Sequence, residues 1–298
     1  ALSGPTNVLS LSLFSFTRER PLAARVGPAP DAVLQRLRQM DGRDDYSSYL
    51  PTGQERTTVA TSLEDLPPLN QMVLRDRLLG IYFVNHFARE AWTGVVPDGE
   101  GGLYCYIVCD PQALKSDLPD WLNLHTVTRF VPGDPGTDIT FDCGTDMSAF
   151  FYVALRESTH VANCVLNLVG QDQVRVTNEV TLTDFTAGVW TTNKRPKAGA
   201  DFPLRKNVIS LQATLSSDKA TNVYAQLVKT PFVSLYACES SANDLADTLA
   251  YYHLTQKMKR PFRISIHHDF PGKTTLFDWD VAAFLRSNRR AKLMEIFY

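Results

Sequence analysis

The sequence predicts an all-β fold built as one antiparallel β-sandwich. Three observations predict it. From about residue 69, short apolar or alternating runs rich in Val, Ile, Thr, Tyr and Phe recur. Strong turn signals separate these runs. Helical patterns do not alternate with them, as a parallel doubly wound sheet would require. No repeat of fixed period appears, which argues against a propeller or a solenoid.

Residues 1–75 read differently. Val8 to Phe16 alternates apolar residues with serine, a period of two that predicts an extended segment with one apolar face. Pro21 and Gly27-Pro28-Ala29-Pro30 punctuate the chain. Asp31 is placed to cap a short helix over 32–40, with Val33, Leu34 and Leu37 on one face. Polar sequence follows, and Pro67-Pro68 closes the region. The expectation is an N-terminal arm without a core of its own. Strands are expected over 78–86, 103–109, 125–131, 147–155, 164–169, 174–183, 208–215, 222–229, 232–238 and 262–267. Turn signals lie at 97–102, 132–136 and 193–199. Single helical elements are expected at 110–114, 240–253 and 280–290. The domain reading is therefore an arm over 1–75, a β-sandwich over 76–270 and a tail with a short helix over 271–298.

The chain has 298 residues, 44% of them hydrophobic and 21% charged, which excludes a disordered chain and a coiled coil. Thirty Lys and Arg against 32 Asp and Glu give a formal net charge of −2, which weakens any reading as a strongly basic nucleic-acid binder. No stretch approaches the ~18 to 20 apolar residues that span a bilayer. The opening Ala1-Leu2-Ser3-Gly4 lacks a basic region and an apolar run, so no signal peptide is expected. Without an initiating Met, the expectation is a processed product. The five cysteines, an odd number without C-x-x-C spacing, predict buried, reduced thiols.

Chemical motifs are sparse. His267-His268-Asp269 is the densest ligand-type cluster. His267 and Asp269 share a strand face and are the candidate pair for a β-barrel metalloenzyme, though neither a further ligand nor a His-x-His…Glu spacing accompanies them. Cys143, with His125 or His160 brought up by the fold, is the nearest approach to a nucleophile, and no G-x-S-x-G elbow exists. Gly99-Glu100-Gly101-Gly102 lacks the Lys-Ser/Thr of a phosphate cradle and predicts a hairpin turn. Basic residues gather at Arg18, Arg20 and Arg25, at Lys257, Lys259, Arg260 and Arg263, and at Arg286, Arg289, Arg290 and Lys292. The residues thus offer no catalytic set, no cofactor site and no committed metal site.

An arm followed by a β-sandwich, a near-neutral charge, free thiols and a non-Met start together resemble the coat proteins of picorna-like positive-strand RNA viruses. Local echoes are the Leu/Arg-rich stretch 69–79 before the first strong strand, the pairs Asp184-Phe185 and Asp269-Phe270, and Pro231-Phe232. The resemblance implies an eight-stranded jelly roll with few short helices, and a structural rather than enzymatic role. The chain would be one protomer of an icosahedral shell, located in the virion and assembled in the host-cell cytoplasm. Its partners would be other capsid subunits and, non-specifically, genomic RNA, with no membrane span and an unknown receptor. Leu9, Leu11, Leu13, Phe14 and Phe16 would anchor the assembly arm, and Arg18, Arg20 and Arg25 would face RNA. The alternatives are a cellular β-sandwich module that binds carbohydrate or protein, and the metalloenzyme built on His267 and Asp269.

Overall fold

The structure, a computed structural model, describes residues 9–133, 136–170, 181, 183–209, 214–269 and 272–298. It corrects the fold class. The chain is 44% helical and 20% strand, a mixed α/β architecture, and the described residues form no closed barrel and no jelly roll.

The helices are α1 (Asp31–Asp41), α2 (Gly53–Glu64), α3 (Pro68–Arg77), α4 (Leu118–Val127), α5 (Ala149–Leu166), α6 (Arg205–Val208), α7 (Ala220–Leu227), α8 (Ser241–Tyr252), α9 (Val281–Ser287) and α10 (Arg289–Lys292). The strands are β1 (Val26–Gly27), β2 (Ser47–Tyr49), β3 (Leu78–Asn85), β4 (Ala91–Pro97), β5 (Leu103–Cys109), β6 (Thr137–Asp142), β7 (Trp190–Thr192), β8 (Arg195–Pro196), β9 (Arg263–His268) and β10 (Thr274–Asp280). The main sheet runs β1-β3-β5-β4, with β2 also paired to β3. The β1–β3 and β3–β5 pairs are parallel, and β4 returns antiparallel beside β5 as the end strand. A second sheet, β10-β9-β6, is antiparallel, and β7 and β8 form a two-stranded ribbon.

Successive side chains of the main sheet point to opposite faces, and both faces are covered. Ile81, Phe83, Cys105, Ile107 and Cys109 enter the large core beneath α2, α3 and α5. Tyr82, Val84, Tyr106 and Val108 pack on the other side against α1 and the chain's first described segment. That double coverage makes β3 and β5 almost continuously buried, as parallel strands between two layers are.

Segment 9–75 is built into these layers. Leu9 and Phe14 are buried with Val33, Leu34 and Leu37 of α1, and β1 and β2 extend the sheet. Leu11 and Phe16 are partly buried against the same cluster, whereas Leu13 is 46% exposed. The serine-alternating stretch is not a strand. Leu11–Leu13 form a 3-10 turn capped by Ser10.

Several expected strands are helices instead. Residues 147–155 and 164–169 fall on or against α5, 125–131 covers the end of α4, and 222–229 lies on α7. Helix α5 is buried almost all round, so it reads as a continuous apolar run that periodicity cannot separate from a buried strand. Helices α4 and α7 are only partly buried, and their short β-branched and aromatic runs read as strands. Residues 232–238 form turns instead of a strand. Most of 174–183 and 210–213 of the expected strand 208–215 lie outside the described residues, as does Phe270 of the pair Asp269-Phe270. Several helical readings hold. Helix α1, the turn Pro111–Leu114, α8 with Ser240 as its cap, and α9 with Asp280 as its cap lie where expected. The 97–102 signal is the β4–β5 hairpin. There the Asp98 carboxylate accepts from the amides of Glu100 and Gly102, both at 2.8 Å, and Gly99 and Gly101 adopt φ values of 86° and 97°.

Candidate functional site

Helix α5 carries an unusual load of ionisable groups for a helix inside a core. Ser148 caps it by accepting from the Phe150 amide, and Asn167 ends it in the left-handed conformation at φ 52°. Its apolar residues fill the space between the main sheet and α8. Within this run stands Arg156-Glu157-Ser158-Thr159-His160.

Arg156 is 3% exposed and lies among acids. Its Nη1 donates to Glu90 Oε2 at 2.6 Å, and its Nε lies 3.0 Å from Asp247 Oδ1 on α8. The guanidinium stacks 3.7 Å from the centroid of Tyr236. Asp247 is fully buried and accepts further from the Tyr152 hydroxyl at 3.1 Å and from the Ser234 hydroxyl. Burial pushes the Asp247 carboxyl above the usual carboxylate range, against the attraction of Arg156. Burial acts the same way on Glu90, but Arg156, His125 and Arg129 outweigh it and hold Glu90 below that range. Arg129 continues the network with a 2.7 Å bond to Glu239.

Glu157 and His160 turn the other way, into an open cleft of about 170 Å³. Ala91, Thr93 and Val95, alternate residues of β4, form one wall, which Trp92 also lines. Glu157, His160 and Cys164 of α5 form the floor, closed by Tyr236 and Asn243. The Thr93 hydroxyl donates to Glu157 Oε2 at 2.7 Å. Burial pushes the Glu157 carboxyl up to about 6 and holds the His160 imidazole down at about 4, so His160 is neutral near pH 7. A cleft holding two groups displaced in this way fits the physical profile of a functional site. Above it runs the outer edge of β4, whose backbone pairs only with β5 among the described residues.

The expected site residues are dispersed. Arg25 is buried, and its guanidinium donates to the carbonyls of Thr17, Arg18, Arg20, Leu74, Arg75 and Leu78. That corrects its expected exposure to RNA, because six carbonyls hold it in the core as a structural clamp. Arg18 pairs with Asp76 at 2.7 Å, and Arg20 is exposed. His267 lies on β9 with Nδ1 3.2 Å from the Thr275 hydroxyl, and Asp269 is exposed beyond the strand. No group of three metal-ligating side chains forms among the described residues. Cys143 is buried, with its thiol pushed up to about 12, a poor setting for a nucleophile. Of the basic clusters, Lys257 pairs with Glu295, Arg263 with Asp278 and the buried Arg290 with Asp244. No described helix is long and apolar enough to cross a membrane.

Glu157, Asp247 and Tyr236 were missed by the sequence reading. One available signal was three ionisable residues within five positions of an otherwise apolar run, which is costly unless they are paired or used.

Comparison with protein-family models, with curated proteins and with solved structures returned no match.

Proposed function

We propose that the chain is a polypeptide-binding protein that takes an extended segment of its ligand along the free edge of β4, over the cleft floored by Glu157 and His160. The observation that carries this reading is the coincidence of an unpaired strand edge with a polar-floored cleft on the same side. An unpaired edge offers alternating N–H and C=O groups that another polypeptide backbone matches and a sugar does not. The ligand's alternate side chains would enter the cleft beside Ala91, Thr93 and Val95. Glu157, with its proton held at about 6, and neutral His160 would then meet polar groups of the bound segment.

This retains the binding alternative of the sequence reading and drops its sandwich. The shell-protomer reading loses its architectural premise with the jelly roll. The reading assigns binding rather than catalysis, since both acidic partners of Arg156 occupy it inside the network and leave it unavailable to polarise a ligand carbonyl.

A random linear peptide library panned against the purified chain tests the proposal. Selected peptides should bind, and Val95→Arg, which puts a long charged side chain into the cleft wall, should weaken them at least ~10-fold, about 1.4 kcal/mol. Selection of no peptide, or binding indifferent to Val95→Arg, would overturn it.

A further inference from the structure

We propose that the cleft beside β4 receives a basic side chain of the bound polypeptide, lysine or arginine, with the Glu157 carboxylate as its counter-ion. The polypeptide as source of that side chain rests on the reading above, whereas the counter-ion site rests on the residues of the cleft itself.

Glu157 lacks the partner that its peers have. Three carboxylates are buried among the described residues, those of Glu157, Asp244 and Asp247. Asp244 pairs with Arg290 and Asp247 with Arg156. The half-buried Glu90 and Glu239 pair with Arg156 and Arg129. Glu157 is 3% exposed, and its carboxylate is met only by the Thr93 hydroxyl at 2.7 Å, with no ion pair among the described residues. Arg156, its neighbour in the chain, is committed to Glu90 and Asp247. A buried charge is ordinarily paired, so the cleft floor holds a carboxylate whose cation the fold does not supply.

The rest of the cleft suits the same ligand. No lysine or arginine is among the residues that line it. A carboxylate only accepts hydrogen bonds. Asn243 lines the cleft too, and its amide nitrogen donates to Glu239 Oε2 at 2.9 Å, so what it offers a ligand is its carbonyl oxygen. An ammonium or a guanidinium carries several donors together with the charge that strengthens them. Ala91, Trp92 and Val95 supply apolar surface for the methylene stem of such a side chain.

Strand register then selects the position. Ala91, Thr93 and Val95 share one face of β4, and the middle one holds Glu157. A strand added at the edge sets one side chain beside each of them. The ligand residue opposite Thr93 thus stands nearest the carboxylate, and the residues two positions to either side face Ala91 and Val95. The expected motif is one basic residue flanked at those positions by uncharged ones.

Peptides selected from the random library should carry this motif. Replacing the basic residue by norleucine, which keeps the stem and drops the charge, should weaken binding at least ~10-fold. Glu157→Gln, which retains an acceptor for Thr93, should do the same. The two changes together should cost little more than either alone, as for partners in one interaction. A second arm does without strand pairing. Butylammonium and butylguanidinium chlorides are titrated at constant ionic strength while NMR follows the amides of residues 93 and 157. Saturable shifts should occur in the native chain and vanish in Glu157→Gln. Selected peptides without a basic position, or peptides that bind Glu157→Gln as tightly as the native chain, would overturn the counter-ion role and leave edge pairing intact. Alkyl cations that bind through Glu157 when no peptide is selected would support the counter-ion site and overturn edge pairing. Binding of neither probe would overturn both.

Discussion

Arg156→Ala should destabilise the protein by about 3–5 kcal/mol, the range for breaking a buried ion pair from one side. The substitution leaves Asp247 fully buried without its cation and Glu90 with only His125 and Arg129 nearby. It also removes the cation stacked on Tyr236. Urea unfolding should show a lower midpoint with an unchanged slope. A companion variant separates charge from packing. Arg156→Met/Glu90→Gln/Asp247→Asn removes all three charges and should recover most of the loss, because the penalty lies in the unpaired charge. A loss below ~1 kcal/mol in Arg156→Ala would place the network near solvent and contradict the burial described above.

Acidification should have the next largest effect. His160 and His253 are both held down at about 4, each chiefly by burial. Unfolding frees each imidazole to titrate near 6.5. Between these values the unfolded chain binds more protons than the folded one, so stability is full above pH ~6.5 and falls as the pH drops towards 4. Each histidine contributes a loss of up to about 3 kcal/mol. Glu157 acts in the opposite sense. Its folded carboxyl titrates at about 6, above its unfolded value, so its protonation favours the fold as pH falls from 6 towards 4.5, by about 2 kcal/mol. Denaturant midpoints at pH 7, 5.5 and 4.5 should therefore drop, and His160→Gln should flatten the curve by roughly half. In Glu157→Gln the drop should steepen and stability at pH 7 should rise. A pH dependence left unchanged by His160→Gln would mean that this imidazole is not shielded.

Such effects come from residues whose setting the sequence disclosed only in part. Strands β3 and β5, the hairpin between β4 and β5, and helices α1, α8 and α9 were legible, because apolar runs bounded by turn signals mark the strands and capping residues mark α8 and α9. Helix α5 was not. Burial on every side erased its period, and its first half was taken for a strand. With α5 lost, Arg156, Glu157 and His160 could not be seen as neighbours on one helix. Asp247 was on a correctly expected helix, but its pairing with Arg156 joins positions far apart in the chain, and no local pattern reports that. Arg25 shows the converse error. Its charge suggested solvent, while six backbone carbonyls at helix and turn ends supplied an interior site. In both cases the decisive information was the company a charged residue keeps in three dimensions.

The central claim is that a ligand polypeptide pairs with the outer edge of β4. Amide hydrogen exchange, followed residue by residue with and without a peptide selected from the library, tests it most directly. The account expects new protection at those β4 amides within 91–97 that do not pair with β5, with the β3–β5 ladder unchanged. Peptide binding that leaves every β4 amide exchanging as in the free protein would contradict it.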